Sequence, residues 1–285
     1  MRATFFNVLI ILILSFFFTE KAFAQVTISF SSSTVIQGEP VLLQIHGTKL
    51  LDINKVIFKN KVIPIFTYNS LPSGLIGIDL YQATGTYPIK VLLKNGTSTT
   101  INLLIQERKK YEAPLAVPDK LGGNSAENQT KVVGQLSKEN SILASIFTGK
   151  KSFWSKPFQY PIKNPIVTDE YGYSRLTGVY TIAHKGVDFR AEKGTKVTAI
   201  NRGVVRIARE FSVYGKTVVV DHGFGVMSFY MHLSKIKVNV GELVLPGQLI
   251  GLSGDTGYAE FPHLHLTIRI GGISIDPVKF LNLFQ

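Results

Sequence analysis

The chain has 285 residues, 45% of them hydrophobic and 18% charged, which permits two modest domains and excludes wholesale disorder. It contains no cysteine, so thiolate metal sites, disulfide frameworks and a lipid-modified N-terminal cysteine are excluded. The formal charge of +12 favours polyanionic surroundings such as cell-wall polymers or lipid headgroups. Nucleic acid is not expected as a partner, because no dense basic stripe with interleaved aromatics is present and the chain reads as exported.

Residues 1–24 read as a secretory leader. Arg2 supplies the positive start, Phe5 to Phe18 is almost wholly apolar, and Ala22-Phe23-Ala24 is a small-x-small cleavage pattern before Gln25. The apolar run is shorter than the about 20 residues of a spanning helix, so cleavage is expected, with no stable membrane span afterwards. The expected location is outside the cytoplasmic membrane, in a periplasm or cell wall.

From 25 to 106 the pattern predicts an all-β domain. Val26 to Phe30 alternates apolar and polar, and further runs are Val41 to Ile45, Val62 to Phe66, Leu75 to Leu80, Tyr87 to Leu93 and Thr99 to Ile105. Lys94-Asn95-Gly96-Thr97 predicts a hairpin of type I′, whose central residues need positive φ. Several short strands in about eighty residues suggest an immunoglobulin-like sandwich. Its one histidine, His46, is expected at a surface or edge.

Residues 107–163 read as a linker with an amphipathic helix between Ser125 and Phe147. Its apolar face is expected to carry Val132, Val133, Leu136, Leu143, Ile146 and Phe147. Packing on a domain is the ordinary role for such a helix; covering an active site is the alternative. From 164 to 285 strand signals return, clearest at Lys196 to Ile200, Val204 to Ala208, Lys216 to Val220, Val226 to Met231, Gln248 to Leu252 and His263 to Ile270, with a short helix after Pro277. An antiparallel β domain is therefore expected here.

This last region holds five of the six histidines, four of them in a candidate metal setting. In a strand, His263 and His265 share a face while Leu264 turns into the packing. His184 and Asp188 are four apart and share a face in either a strand or a helical turn. Imidazoles and a carboxylate converging from two segments are ligand types of a catalytic zinc site, with three protein ligands and an open fourth position. Zinc lowers the pKa of bound water from about 15.7 toward 7. No His-Glu-x-x-His helix supplies a glutamate base, which leaves histidine for proton transfer. His222, beside Asp221 and Gly223, is expected to be structural; Arg175 is expected to be a structural or substrate-side residue rather than a catalyst. Tyr180 is a candidate oxyanion donor.

His184-Lys185-Gly186-Val187-Asp188, Tyr230-Met231-His232-Leu233-Ser234 and Pro262-His263-Leu264-His265 together resemble the H-x-G-x-D, Y-x-H-L-S and P-H-L-H motifs of the lysostaphin-type (LytM-like) zinc metalloendopeptidases. The resemblance runs from about Asn164 to Leu283. It implies a duplicated hybrid motif fold and one Zn2+ per chain held by His184, Asp188 and His265. It also implies that His232 and His263 are catalytic, and that the substrate is the peptide part of bacterial peptidoglycan. Two positions depart from the family pattern: Phe261 replaces a small residue and Met231 a residue commonly alanine. A non-catalytic regulator of other wall hydrolases on the same fold is the competing expectation, and such relatives lose metal ligands. Substrate-binding residues are not legible in the sequence.

Overall fold

A computed structural model describes residues 25–109, 111–154 and 156–284. The expected leader, residues 1–24, lies outside them. The described chain is almost entirely β, as its patterning predicts.

The N-terminal part holds β1 (Thr27–Phe30), β2 (Thr34–Ile36), β3 (Pro40–His46), β4 (Ile53–Phe58), β5 (Lys61–Ile63), β6 (Ile65–Tyr68), β7 (Leu71–Gly77), β8 (Gly85–Leu93) and β9 (Ser98–Gln106). They form two sheets, ordered β1-β3-β7-β6 and β2-β9-β8-β4-β5, antiparallel except for the parallel pair β2–β9. Alternate residues of β3 (Val41, Leu43, Ile45) meet Val56, Phe58, Ile89, Val91 and Leu103 of the second sheet in one core. The intervening Leu42 joins Phe66 and Leu75 in the core of the C-terminal part. The first sheet is therefore covered on both faces, which is why β3 and β7 read as continuous apolar runs rather than alternating ones.

Two local expectations are corrected. The run Val62 to Phe66 is not one strand: Pro64, which has no N–H to give a ladder, separates β5 from β6, and these belong to different sheets. The hairpin at Asn95-Gly96 is not type I′, since only Gly96 is left-handed (φ 88°). Asn95 Oδ1 accepts from the Thr97 N–H (3.0 Å) and the Thr97 hydroxyl (2.8 Å), a local bond that favours the right-handed region at Asn95.

The segment 107–163 is not a free tether. It contributes β10 (Glu112–Pro114) and α1 (Ala126–Ala144), whose first turn is capped by Ser125 Oγ accepting the Asn128 N–H at 3.2 Å. The helix buries Gln129, Val132, Glu139 and Leu143, positions spaced to share one face. Phe147, expected on that face, lies beyond the helix end and is 90% exposed. Leu143 and Ile146 pack against Ile207, Val219, Phe229 and Met231. Met231 at a position commonly alanine thus supplies apolar surface for the helix.

The C-terminal part contains β11 (Val167–Asp169), β12 (Ser174–Thr177), β13 (Tyr180–Ala183), β14 (Val187–Arg190), β15 (Lys196–Thr198), β16 (Gly203–Phe211), β17 (Gly215–Gly223), β18 (Val226–Leu233), β19 (Lys235–Ile236), β20 (Leu243–Val244), β21 (Leu249–Leu252), β22 (His263–Ile270), β23 (Ile273–Ile275) and α2 (Pro277–Asn282). The main sheet is antiparallel, in the order β11-β14-β22-β18-β17-β16-β20, with β23 beside β22. Phe189, Leu264, Leu266 and Tyr230 fill one face with Phe280 and Phe284 from the C-terminal end; α1 covers part of the other. Arg108 ties the two parts together through Gln37 O (2.7 Å) and Asp276 Oδ2 (3.2 Å).

Candidate metal centre

Strand register brings the expected residues together. β14 pairs with β22 so that Asp188 lies opposite His265 and Arg190 opposite His263. β18 flanks β22 on the other side, with Met231 opposite His265, and ends next to His232. His184 follows β13 directly. Gly186 between them has a packing reason: a Cβ there would lie 2.4 Å from His265 Nε2 and 2.6 Å from the Leu266 carbonyl.

His184 Nε2, Asp188 Oδ1 and His265 Nδ1 form a triangle with edges of 3.1, 3.0 and 2.7 Å, and all three side chains are buried. Their surroundings fix which atoms face inward. His184 Nδ1–H donates to the Glu170 carbonyl (2.8 Å), because a carbonyl can only accept, and this leaves the Nε2 lone pair free. The Thr267 hydroxyl gives its proton to the Lys185 carbonyl (3.1 Å) and so accepts from His265 Nε2–H (2.9 Å), leaving Nδ1 as a lone pair. Arg175 takes Asp188 Oδ2 and also Asp169 Oδ2 (2.8 Å), leaving Asp188 Oδ1 to the triangle.

Burial raises the Asp188 carboxyl, but the attraction and hydrogen bonds that His184 and His265 offer it when protonated outweigh burial, so the group stays a carboxylate, well below its usual range. Burial pushes the His265 imidazole down to about 4 despite Asp188. Both groups are thus in the forms a metal requires, a carboxylate and a neutral imidazole. Three lone-pair atoms converging with no donor among them fit a divalent cation. Around zinc at about 2.0–2.1 Å in tetrahedral geometry such donors would stand about 3.3 Å apart, close to the edges seen here.

Two more imidazoles border the triangle. His232 Nδ1–H donates to the Thr256 carbonyl (2.9 Å) and His263 Nδ1–H to the Phe261 carbonyl (2.8 Å). Their ring centroids are 4.9 Å apart, and the His232 ring lies 6.0 Å from that of His265. His263 Nε2 is 3.8 Å from Asp188 Oδ1 and is buried without a hydrogen-bond partner. Such an orphaned atom calls for a polar group beside it. His232 adopts φ 58°, a left-handed conformation rare outside glycine, and burial together with His263 and His265 pushes its imidazole well below the ordinary value.

The other histidines stand apart. His222 is fully buried at the end of β17, between the Arg202 carbonyl (2.9 Å) and Ser228 Oγ (2.8 Å), and burial lowers it to about 4. His46 meets Ser29 Oγ at 2.8 Å on an edge. The Tyr180 hydroxyl is 3.0 Å from Thr130 Oγ1 of α1. Sequence reasoning missed Thr267 and the contact of Arg175 with Asp188. Thr267 carried a signal, lying two residues after His265 on the same strand face; Arg175 is expected from the sequence to be structural or substrate-side, but only the fold brings it to Asp188.

A cavity of about 540 Å³ opens beside the triangle. His184, His232 and His265 line it from the sheet, while Leu115, Leu136 and Asn140 line it from the connecting segment and α1. The helix is anchored beside His232: Glu139 accepts from the Val213 and Tyr214 N–H groups (both 3.0 Å), and the Tyr214 carbonyl accepts the His232 N–H (3.0 Å).

Residues 182–277 match the family model described as Peptidase family M23. Peptidoglycan DD-endopeptidase ShyA of Vibrio cholerae is 33% identical over 170 residues, taking in 57% of this chain and 40% of that protein. Lysostaphin of Staphylococcus staphylolyticus is 39% identical over 120 residues, 39% of this chain and 25% of that protein. The match therefore spans less than half the length of either relative. A solved structure of a putative peptidase M23 from Pseudomonas aeruginosa superposes with a TM-score of 0.61 at 22% identity, covering 88% of this chain and 96% of that one, which shows a shared fold.

Proposed function

We propose that this chain, which carries an M23 peptidase domain, is an exported zinc-dependent endopeptidase that hydrolyses peptide cross-links or stem peptides of bacterial peptidoglycan. The observation that carries the reading is the triangle of His184 Nε2, Asp188 Oδ1 and His265 Nδ1, bordered by the unpartnered Nε2 of His263. His184, Asp188 and His265 hold one zinc per chain. His232 and His263 are the catalytic histidines, and residues 164–285 form the catalytic domain after a leader (1–24), an immunoglobulin-like domain (25–106) and a connecting segment (107–163).

Zinc at this place supplies Lewis acidity toward a peptide carbonyl and acidifies water at neutral pH. The remaining work falls to the protein. With Nδ1 of both His232 and His263 committed to main-chain carbonyls, their Nε2 atoms do the proton chemistry. One takes the proton of the attacking water and passes it to the amine nitrogen as the peptide C–N bond breaks; the other, protonated, donates a hydrogen bond to the developing oxyanion. Peptidoglycan is the favoured substrate because ShyA, a relative named for an activity toward it, aligns with this chain over 170 residues, and because a strongly basic chain is drawn to an anionic wall.

The regulator reading is disfavoured because none of the five side chains is missing. Zinc measured in the purified chain, with muropeptides released from sacculi identified by mass, tests the proposal. A folded chain holding zinc that releases nothing from sacculi overturns the enzyme reading. Sequencing the N-terminus of protein recovered outside the cytoplasm should find Gln25; an intact Met1 chain in membranes overturns export as a cleaved protein.

A further inference from the structure

The outer strand of the small sheet β10-β12-β13 comes from outside the catalytic region. β12 and β13 form a hairpin, from Ser174 opposite Ala183 to Thr177 opposite Tyr180. β10 arrives from the connecting segment and adds in parallel, with Glu112 opposite Ser174, Ala113 opposite Arg175 and Pro114 opposite Leu176. Its main chain fills the free edge of β12: Ser174 N–H donates to the Tyr111 carbonyl (2.7 Å), and Leu115 N–H to the Leu176 carbonyl (2.8 Å). An edge like this, if vacated, pairs with any extended chain that reaches it.

The edge belongs to the candidate site. Arg175, its middle residue, reaches Asp188, and Leu115 lines the same cavity as His184 and His265. The Leu115 carbonyl accepts from two hydroxyls, Thr177 Oγ1 (2.9 Å) and Tyr258 OH (3.2 Å), which are themselves 3.2 Å apart. One donor comes from β12 and the other from the loop leading to β22, so the two walls of the groove converge on a single peptide carbonyl. Thr177 is fully buried, where a hydroxyl must have a partner.

We infer that the β12 edge, with the hydroxyls of Thr177 and Tyr258, is the subsite that holds the substrate peptide in extended form, and that Tyr111–Leu115 occupies it here as an internal stand-in. The inference rests on the peptidase reading and adds the mode of substrate binding. Recognition is through main-chain hydrogen bonds and one seated carbonyl, so it selects an extended peptide rather than a particular side chain. Substrate and the chain's own segment compete for the same edge.

The sequence has no cysteine, so the pair Glu112→Cys and Ser174→Cys introduces the only two thiols and can lock β10 in place. In the full zinc-loaded chain, oxidation of this pair should abolish both binding and cleavage of a soluble cross-linked muropeptide, with zinc content unchanged, and reduction should restore both. A second variant, Leu115→Pro with Val117→Asp, removes one ladder hydrogen bond and a buried anchor. The Ser174 amide should then exchange faster with solvent and be protected again when the muropeptide is added. An oxidised pair that binds and cleaves like the reduced one overturns the inference, as does a muropeptide that binds without protecting Ser174. A muropeptide that protects Ser174 but is never cleaved sinks the peptidase reading and leaves this subsite standing.

Discussion

Asp188 and His265 face each other across the antiparallel register of β14 and β22, and their inward atoms lie 2.7 Å apart. The register sets the two side chains on the same face of paired strands, so they meet with no rearrangement of the main chain. His184 completes the triangle from the end of β13, and Arg175 and Thr267 fix the orientation of the carboxylate and of one imidazole. A metal bound here would meet donors already in place.

The two histidines of β22 should separate in a mutant series. His265→Ala, His184→Ala and Asp188→Ala are expected to lose most of the zinc and all detectable hydrolysis. His263→Ala and His232→Ala should keep zinc and lose turnover by about 10²–10⁴-fold, the usual worth of general acid–base catalysis. Zinc content and cleavage rate on the five folded variants decide it. Full retention of zinc in His265→Ala, with loss in the other pair, would reverse the roles.

Thr267→Val keeps the shape of the side chain but removes the acceptor of His265 Nε2–H. Zinc affinity, measured by competition with a chelator, should fall by about 10–100-fold with the fold intact. Arg175→Met should weaken zinc to a similar degree and also lower stability, because Asp188 would then keep a buried carboxylate oxygen without its cation. Unchanged affinity in both variants would refute the positioning roles.

Gly186→Ala is a more severe test than its size suggests. The added methyl would sit 2.4 Å from His265 Nε2, and the Leu266 carbonyl blocks its other side. The ring must move, so zinc binding should drop while circular dichroism stays that of the parent. Wild-type affinity in this variant would mean that the ring has room the geometry denies.

Acid should destabilise the metal-free chain partly through His222. Its folded value near 4 lies below the ordinary 6.5, so between these values the unfolded state binds the extra proton. The stabilising contribution is complete above the unfolded value and is lost as pH falls toward 4. The expected loss from pH 7 to pH 5 is about 2 kcal/mol. Denaturant melts at both pH values, with His222→Gln as comparison, measure it; an equal pH dependence in that variant would assign the loss elsewhere.

Much of this protein is legible in its sequence. Alternation, continuous apolar runs and turn residues identified strands in both halves, because a half-buried strand needs a period of two and a strand covered on both faces an unbroken apolar run. The spacing of His263 and His265, and of His184 and Asp188, pointed to a metal site, because residues two apart share a face in a strand and residues four apart do so in a strand or a helical turn. The sequence also carried the short helix after Asp276, whose side chain caps it.

Tertiary structure decided the rest. Pro64 splits an apolar run between two sheets, a choice settled by which partner strands are in reach. Arg175 gains its role only when β12 is brought against β14, and the sequence cannot encode that meeting in any local period. The connecting segment read as a linker because its strand is three residues long and its helix only weakly amphipathic; their burial comes from the sheet and hairpin they cover, through Glu139, Leu143 and the Leu115 carbonyl. Local patterns report which face of an element is buried. Only the folded chain specifies what lies against that face, because long-range contacts are fixed by packing and register rather than by the residues next in sequence.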